Sequence, residues 1–411
     1  MSAVRFRLQA FSKRKSNSGS TFAFLFFKSN RYLGVAAVST LEAMVPLFDL
    51  TRQYQTLKPE IEPVVLAQLE SGGYVLGPVV EEFELLCARE LGVGHTVGVA
   101  NGTDALQIAL RALGLRAGDE VITTPFSFYS AAEVIADLGA VPVFVDIEAD
   151  TFNIDPRAVE AAITPRTRAL IPVHIFGLPA KMEALRAIAK KHDLFIVEDC
   201  AQAWGATLDG CAAGSMSEAG TFSFFPTKNL GACGEGGLIS TNSAQVAEKC
   251  RQLRVHGQSR RYFYDEIGYN SRLHTLQAAI LKVKLPHARQ WNASRRRHAA
   301  HYAGLLGDTP FVLPVETPGA CHVYHQYTLR VPAEVGRERV MKTLSEREIG
   351  HAIYYPHPLH LQPVFAHLGY KAGSLPVVER ACEEVLSLPI FPELRPDEVE
   401  LVASALKSVL V

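Results

Sequence analysis

The sequence predicts an α/β fold: a large domain with a mostly parallel sheet flanked by helices, and a smaller C-terminal α+β domain. First, from Val97 onward, helical patterns alternate with apolar strand-like runs, which are VITTPF at Val121, VPVFVDI at Val141, ALIPVHIFG at Ala169 and LFIVED at Leu194. Second, helical patterns dominate from Ser271 to about Leu306. Third, the pattern past Thr317 mixes helical and strand-like segments, around YHQYTLRV and HAIYYPHPLHLQP. We therefore expect a large domain at 44–290 and a small domain at 291–411.

Composition narrows the class of protein. The chain has 411 residues, is 48% hydrophobic and carries a formal charge of −1, which suits a globular protein of two domains and argues against nucleic-acid binding. No run approaches the ~18 apolar residues of a membrane span. Seven cysteines, an odd number with no CxxC pair or metal-type spacing, argue against a disulfide framework and a metal site. These features predict a cytoplasmic protein.

The first candidate element is VANGTDALQIALRALG, Val99 to Gly114. It reads as a strand, a glycine-containing turn and an amphipathic helix. The first N–H groups of such a helix have no partner inside it, so they form an anion site, and Thr103 adds a hydroxyl donor. This element predicts a phosphate site.

The second element is LFIVEDCAQAWGA, Leu194 to Ala206, an apolar run that ends in Glu198, Asp199 and Gln202. Carboxylates at the C-terminal end of a buried strand lie where open α/β sheets bind ligands. Asp199 at this position could keep a heteroaromatic nitrogen protonated. The alternative is that Asp199 caps a helix.

The third element surrounds Lys228, which lies in a short turn between Phe222–Phe225 and the glycine-rich stretch Gly231–Gly237. A lysine amine that is desolvated in a cavity loses its proton and becomes a nucleophile for carbonyl groups. The alternative is an ordinary solvated loop lysine. Together, a phosphate site, a carboxylate for a pyridine nitrogen and a Schiff-base lysine specify pyridoxal phosphate.

These strings carry a family resemblance. SFFPTKNLGA, EDCAQ, PLFDLTRQYQ at Pro46, GYNSRLHTLQAAIL at Gly268 and LSLPIFPEL at Leu386 resemble the DegT/StrS family of pyridoxal-phosphate sugar aminotransferases. The resemblance implies the aspartate-aminotransferase-like architecture called fold type I. In that architecture the large domain binds the cofactor and the small domain closes over the substrate.

The resemblance also implies roles for individual residues. Lys228 would bind the cofactor as a Schiff base and then shuttle the proton, and Asp199 would pair with the pyridine nitrogen. Gln202 would hydrogen-bond the ring hydroxyl, and Phe128 would stack on the ring, although an aromatic in an apolar strand is also a common core residue. The phosphate would be held by Gly102, Thr103 and Ser223.

Three further implications concern the partner and the substrate. Asn270 matches an asparagine that reaches the phosphate of the neighbouring subunit, which implies a homodimer with sites at the interface. His174, His325 and Tyr354 are candidate substrate residues, with a packed structural histidine as the alternative for His174. Trp204 departs from the usual pattern, and we expect it to change the shape of the pocket.

The first 43 residues differ from the rest, with seven Lys or Arg and no acid before Glu42. Three interpretations compete: a targeting-like peptide, a disordered basic arm, and a leader upstream of the functional start. Because the resemblance begins just past Met44, we favour the leader.

We therefore predict a transaminase that moves an amino group, from L-glutamate, to a nucleotide-linked keto-sugar in glycan or secondary-metabolite biosynthesis. One alternative is a sugar dehydratase of the same fold, in which the lysine is replaced by histidine. The other is a non-catalytic regulatory relative, for which loss of Lys228 or Asp199 would have been the sign.

Overall fold

A computed structural model describes residues 45–410, so the predicted extension at residues 1–43 lies outside the described residues. The α-helices are α1 (Leu50–Ser71), α2 (Pro78–Leu91), α3 (Gly102–Ala112), α4 (Ser130–Asp137), α5 (Pro156–Ala161), α6 (Met182–His192), α7 (Ala244–Leu253), α8 (Thr275–Lys284), α9 (Ala288–Leu306), α10 (Arg337–Glu346), α11 (Pro376–Glu384) and α12 (Pro396–Lys407). The strands are β1 (His95–Val99), β2 (Glu120–Thr123), β3 (Val141–Phe144), β4 (Thr167–Ile171), β5 (Phe195–Asp199), β6 (Thr207–Leu208), β7 (Cys211–Ala212), β8 (Ala219–Ser223), β9 (Gly237–Thr241), β10 (Gln258–Arg260), β11 (Phe263–Tyr264), β12 (Ala320–Cys321), β13 (Tyr327–Arg330) and β14 (Val385–Leu388). No helix in this range is long and apolar enough to cross a bilayer.

The central sheet has seven strands in the order β1-β9-β8-β5-β4-β2-β3. The pairs from β8 to β3 are parallel, whereas β9 runs antiparallel to both of its neighbours, β1 and β8. This confirms the predicted mostly parallel sheet. Because parallel strands end at the same edge, the segments that follow β1, β2, β4, β5 and β8 meet at one edge of the sheet.

Helices cover both faces of this sheet, which explains why its strands read as continuous apolar runs. Successive side chains of a strand point to opposite faces. Val121 accordingly packs in a core with α3, α4 and α7, whereas its neighbour Ile122 packs with α5 and α6. A further core lies between β8, β9 and the helices α2 and α8.

The C-terminal part has its own core, in which β13 and β14 pack against α9, α10 and α12. The predicted boundary at 290/291 falls inside α9, and it stays a prediction. Val45 also belongs to this core and is fully buried. Its N–H donates to the Glu348 carbonyl (3.3 Å), and its carbonyl accepts from Gly350 N (2.8 Å).

A chain that starts at Met44 is expected to fold and turn over like the full chain, since it keeps Val45. A chain that starts at Asp49 loses one buried valine and two backbone hydrogen bonds, which should cost about 3 kcal/mol in the free energy of unfolding. Urea denaturation of both chains measures the difference. Loss of stability or activity in the Met44 chain would instead make residues 1–43 an integral part of the fold.

Candidate active site

Three predicted motifs, distant in sequence, meet at the carboxyl edge of the sheet. β1 leads directly into α3, β5 ends at Asp199, and β8 ends at Ser223. The register pairs Asp199 with Thr221 on β8, and Ser223 with Gly237 on β9. The topology therefore brings the phosphate, ring and lysine motifs together.

The N-terminus of α3 forms an open anion site. The Asn101 side chain caps the helix by accepting from Asp104 N (2.8 Å), whereas the N–H groups of Gly102 and Thr103 donate no hydrogen bond within residues 45–410. A Cβ on Gly102 would lie 2.8 Å from the Ser223 Cβ, so glycine is required for this close approach. Two free N–H groups, the helix dipole and two nearby hydroxyls suit a phosphate group.

Lys228 lies in a turn that is anchored on both sides. Its N–H donates to the Phe225 carbonyl (2.9 Å). The next residue, Asn229, is buried and donates from Nδ2 to Oδ1 of Asn292 on α9 (2.7 Å). These bonds hold the lysine backbone at the edge of the sheet.

The electrostatics of Lys228 and Asp199 are coupled. Burial lowers the pKa of Lys228 to about 8, and the charge of Asp199 opposes that shift. Burial raises the pKa of Asp199, although a bond from Ala201 N (3.0 Å) and the charge of Lys228 act in the other direction. A substantial fraction of neutral amine is therefore present at pH 7–8, and the buried carboxylate would gain from a cationic partner.

Gln202 has a fixed orientation. Its Oε1 accepts from Phe176 N (2.7 Å), so Nε2 points the other way and donates to the Tyr355 hydroxyl (3.1 Å). The second Nε2 hydrogen is left for a ligand. Burial raises the pKa of Tyr355, which keeps this hydroxyl protonated. Sequence reasoning missed Tyr355, because it is 153 residues from Gln202 and no local signal joins them.

Phe128 lies in the segment that follows β2 and is 60% exposed. Its near neighbour Phe126 is fully buried and packs against Phe152 and Phe176 at centroid distances of 5.5 and 6.0 Å. Of the two aromatics, Phe126 is therefore the core residue. Phe128 is the one with a ring face free for a ligand.

Of the two readings for His174, the contacts favour the packed structural histidine over the substrate residue. His174 is fully buried, its Nδ1 accepts from Ala180 N (3.0 Å), and its Nε2 therefore carries the hydrogen that bonds Glu198 Oε2 (3.0 Å). Glu198, on the opposite face of β5 from Asp199, also accepts from two backbone N–H groups. His174 N donates to the Asp199 carbonyl (3.0 Å). His174 is thus a structural histidine that supports the strand bearing Asp199.

Trp204 was expected to change the shape of the pocket, and the structure corrects this expectation. Its side chain is buried and packs edge-on against Phe222 (5.2 Å) and Phe224 (5.7 Å) in the core beneath the lysine turn. It therefore supports the turn and does not shape the pocket.

The remaining candidates fall into two places. His325 is buried near Lys228, and Tyr354 lines a small cavity beside it together with Thr227. Asn270 is exposed, and its Oδ1 accepts from Arg272. No hydrogen bond among residues 45–410 joins Asn270 to Lys228 or to Ser223.

Comparison with known proteins identifies this arrangement. The model of the DegT/DnrJ/EryC1/StrS aminotransferase family matches residues 55–407. The chain belongs to this family. Family membership confirms the resemblance, the predicted transaminase activity and the dependence on pyridoxal phosphate.

Individual members of the family are closely similar. The chain is 52% identical to the "Pleiotropic regulatory protein" of Geobacillus stearothermophilus, over 87% of this chain and 96% of that one. It is 44% identical to the UDP-N-acetyl-3-dehydro-alpha-D-glucosamine 3-aminotransferase of Acidithiobacillus ferrooxidans, over 90% and 99%. The crystal structure of S. venezuelae DesV superimposes with a TM-score of 0.86 at 42% identity, over 89% and 98%. This confirms the fold type I architecture.

Proposed function

We propose that this family member transfers an amino group from L-glutamate to the keto group at C3 of a hexose linked to a nucleoside diphosphate. One observation carries the proposal: the Lys228 amine, with a pKa of about 8, lies beside Asp199 at the sheet edge that also carries the free N–H groups of α3. The 3-aminotransferase relative supports C3 and a nucleotide-linked sugar. The product would enter glycan, lipopolysaccharide or secondary-metabolite assembly.

The residues at the sheet edge suit the cofactor. Pyridoxal phosphate supplies an aldehyde that binds amines and a protonated ring that withdraws electrons. The N–H groups of Gly102 and Thr103, with the Ser223 hydroxyl, would bind its phosphate. Asp199 would hold a proton between its carboxylate and the ring nitrogen, and this cationic partner would offset the burial of its charge.

Lys228 would carry the proton of the reaction. Near pH 8 its Nζ is neutral in about half of the molecules, so it can take a proton from the α-carbon of the donor. The same nitrogen, once protonated, can return the proton at the sugar. The hydrogen bonds of the turn hold the Lys228 backbone in place, and its side chain is half-buried at the sheet edge.

A regulatory role is named for the relative in Geobacillus. Retention of Lys228 and of the buried Asp199, whose charges shift each other's pKa, supports catalysis for this chain instead. The intact lysine also argues against the sugar dehydratase alternative.

All seven cysteines are free, which supports our further proposal of a reducing, cytoplasmic location.

The function is tested by offering the purified chain a panel of keto-sugar nucleotides with L-glutamate and measuring product masses. The 3-keto sugars should gain an amino group, and L-glutamate should be converted to 2-oxoglutarate in equal amount. Amination confined to 4-keto sugars would contradict C3, and the absence of any amination would contradict the proposal.

We also propose a homodimer with composite sites. The hairpin β10–β11, which precedes Asn270, exposes large apolar side chains: Tyr262, Phe263, Tyr264 and, just after it, Ile267. Exposed aromatic groups of this kind are typical of interfaces between subunits. Asn270 lies on the same exposed segment, which supports its proposed reach into the neighbouring site.

Mixed dimers test this arrangement. A Lys228→Ala chain paired with an Asn270→Ala chain should contain one doubly defective site and one site with both residues intact. Loss of the Asn270 contact should weaken cofactor binding by about 1.5–3 kcal/mol. Co-refolding the two chains at limiting pyridoxal phosphate should therefore give more activity than either parent contributes. Activity that only follows the amount of Asn270→Ala chain would place Asn270 in its own subunit's site or in none.

A further inference from the structure

The turn that carries Lys228, residues 224–232, is closed by hydrogen bonds of its own. Lys228 N donates to the Phe225 carbonyl (2.9 Å), and Ala232 N donates to the Phe224 carbonyl (2.8 Å). These bonds fix the shape of the turn, but they do not fix where it lies relative to the rest of the site. Its position therefore depends on contacts with other segments of the chain.

Asn229, the residue after Lys228, makes two such contacts. Its Nδ2 donates to Oδ1 of Asn292 (2.7 Å) and to the carbonyl of Val323 (3.0 Å), so both amide hydrogens are used. Asn292 lies on α9, and its own Nδ2 donates to the carbonyl of Trp204 (2.9 Å). Both asparagines are buried, with 4% and 7% of their surface exposed. The two amides thus join the turn to the Trp204 segment in the interior of the protein.

The orientation of both amides is determined by their partners. A backbone carbonyl only accepts hydrogen bonds, so Nδ2 of Asn229 must face Val323, and Nδ2 of Asn292 must face Trp204. Asn292 consequently presents its oxygen to the turn. A Cβ on Gly205, which follows Trp204, would lie 2.6 Å from the Asn292 Nδ2. Glycine is therefore required at 205, because a side chain there would push the Asn292 amide away from the Trp204 carbonyl.

Trp204 belongs to the segment that carries the proposed contacts of the cofactor ring. This segment begins with Asp199, the last residue of β5, and continues through Gln202. Asn292 therefore bonds this segment on one side and the neighbour of Lys228 on the other. The relative position of these groups matters, because a displacement of about 1 Å can cost about 10²-fold in rate.

We infer that Asn292 is a positioning residue for the amino transfer, which acts through Asn229 to hold Lys228 in a fixed place relative to Asp199. The inference rests on the proposed role of Lys228 and deepens it. The amides act on the lysine turn, so they need no contact with the cofactor or the substrates. Loss of either amide should loosen the turn and let more water reach the lysine amine.

Burial lowers the pKa of Lys228 to about 8. Because water stabilises the charged form of an amine, a looser turn should raise this pKa toward the ordinary value of about 10.4. The free N–H groups at the N-terminus of α3 lie outside the turn, so the affinity for the cofactor phosphate should change little. Asn292 is thus expected to affect the rate and the pKa of Lys228 together, and to spare cofactor binding.

The test compares the full wild-type chain with Asn229→Ala, Asn292→Ala and the double variant. Tyr302→Phe is the matched control, since Tyr302 lies further along α9 and its fully buried hydroxyl donates to the Pro389 carbonyl (3.0 Å). It removes a buried hydrogen bond without touching the turn. In the cofactor-free chains, acetic anhydride labels neutral amines, and the mass of the Lys228 peptide gives the labelling rate at each pH. Steady-state rates and cofactor titration are measured on the same chains.

Both single variants should move the pH of half-maximal Lys228 labelling upward by about 0.5–1. Their kcat should fall by about 10–100-fold, while KM and cofactor affinity stay within about 3-fold. The double variant should match the more affected single variant, because the two amides act as one unit. The control should keep the wild-type labelling profile and rate.

An unchanged labelling profile in Asn229→Ala would overturn the inference, and this result is decisive even if Asn292→Ala does not fold. Losses that multiply in the double variant would overturn it too, because Asn292 would then act independently of Asn229. An equal shift in Tyr302→Phe would likewise reduce the effect to a general loss of stability. Failure of the wild type to aminate 3-keto sugars would refute the proposed function, whereas the labelling would still report on Lys228.

Discussion

A Lys228→Ala chain is expected to bind pyridoxal phosphate and yet lose turnover by about 10⁴-fold or more. Binding should persist because the groups proposed to hold the phosphate, which are the N–H groups of Gly102 and Thr103 and the Ser223 hydroxyl, are untouched by the substitution. Turnover should fall because, among residues 45–410, Lys228 is the lysine whose charge acts on Asp199, so its loss would remove the amine that moves the proton. A positioned acid–base group is worth about 10²–10⁴-fold before the covalent role is added. Cofactor titration and steady-state rates measure the two effects separately.

Lys282→Ala is the matched control, since that lysine pairs with Glu82 at the surface of α8. It should leave the rate within about 2-fold. A small primary amine added to the Lys228→Ala chain should restore part of the rate, because it can supply the missing base. Full glutamate-dependent turnover in the variant without added amine would refute the assignment of Lys228.

Asp199→Asn is expected to lower turnover by about 10³-fold without loss of thermal stability. Asparagine keeps an oxygen for Ala201 N and removes a charge that burial disfavours, so the fold should be as stable as before or more so. Asparagine cannot keep the pyridine nitrogen of the cofactor protonated. The ring would then withdraw electrons less strongly from the reacting carbon. Turnover, cofactor affinity and the melting temperature should be measured together.

Glu198→Gln provides the contrast from the neighbouring residue. Glu198 accepts hydrogen bonds from His174, Gly214, Met216 and Ser217, so an amide N–H₂ turned toward these donors should destabilise the fold by about 1–3 kcal/mol. Turnover of the folded fraction should fall less than 10-fold, because Glu198 faces the opposite side of β5 from Asp199 and from the proposed site of the cofactor ring. If Glu198→Gln abolished turnover and Asp199→Asn did not, the two carboxylates would have been assigned the wrong way round.

Much of the site could be predicted because its motifs are local. Lys228, Asp199 and the N-terminus of α3 each lie at the end of an apolar run, and a parallel sheet gathers such ends at one edge. Strand alternation also indicates that Glu198 and Asp199 face opposite sides. The meeting of Gly102 with Ser223 follows from the same topology, although their contact distance does not.

What could not be predicted depends on long-range packing. The bond between Gln202 and Tyr355, and the bond between Asn229 and Asn292, join segments with no shared local pattern. The sequence around His174 does not distinguish a side chain that contacts the substrate from one that packs in the core. Only the Glu198 and Ala180 contacts reveal that it is a buried support.

The central claim is that Lys228 and its surroundings pass an amino group from glutamate through pyridoxal phosphate. The most direct test is the visible absorbance of the purified full chain with the cofactor, before and after one equivalent of L-glutamate, with the released compounds identified by mass. The account predicts a yellow protein whose colour fades on addition of glutamate as 2-oxoglutarate forms. A chain that stays colourless with the cofactor, or a yellow chain that glutamate does not change, would contradict it.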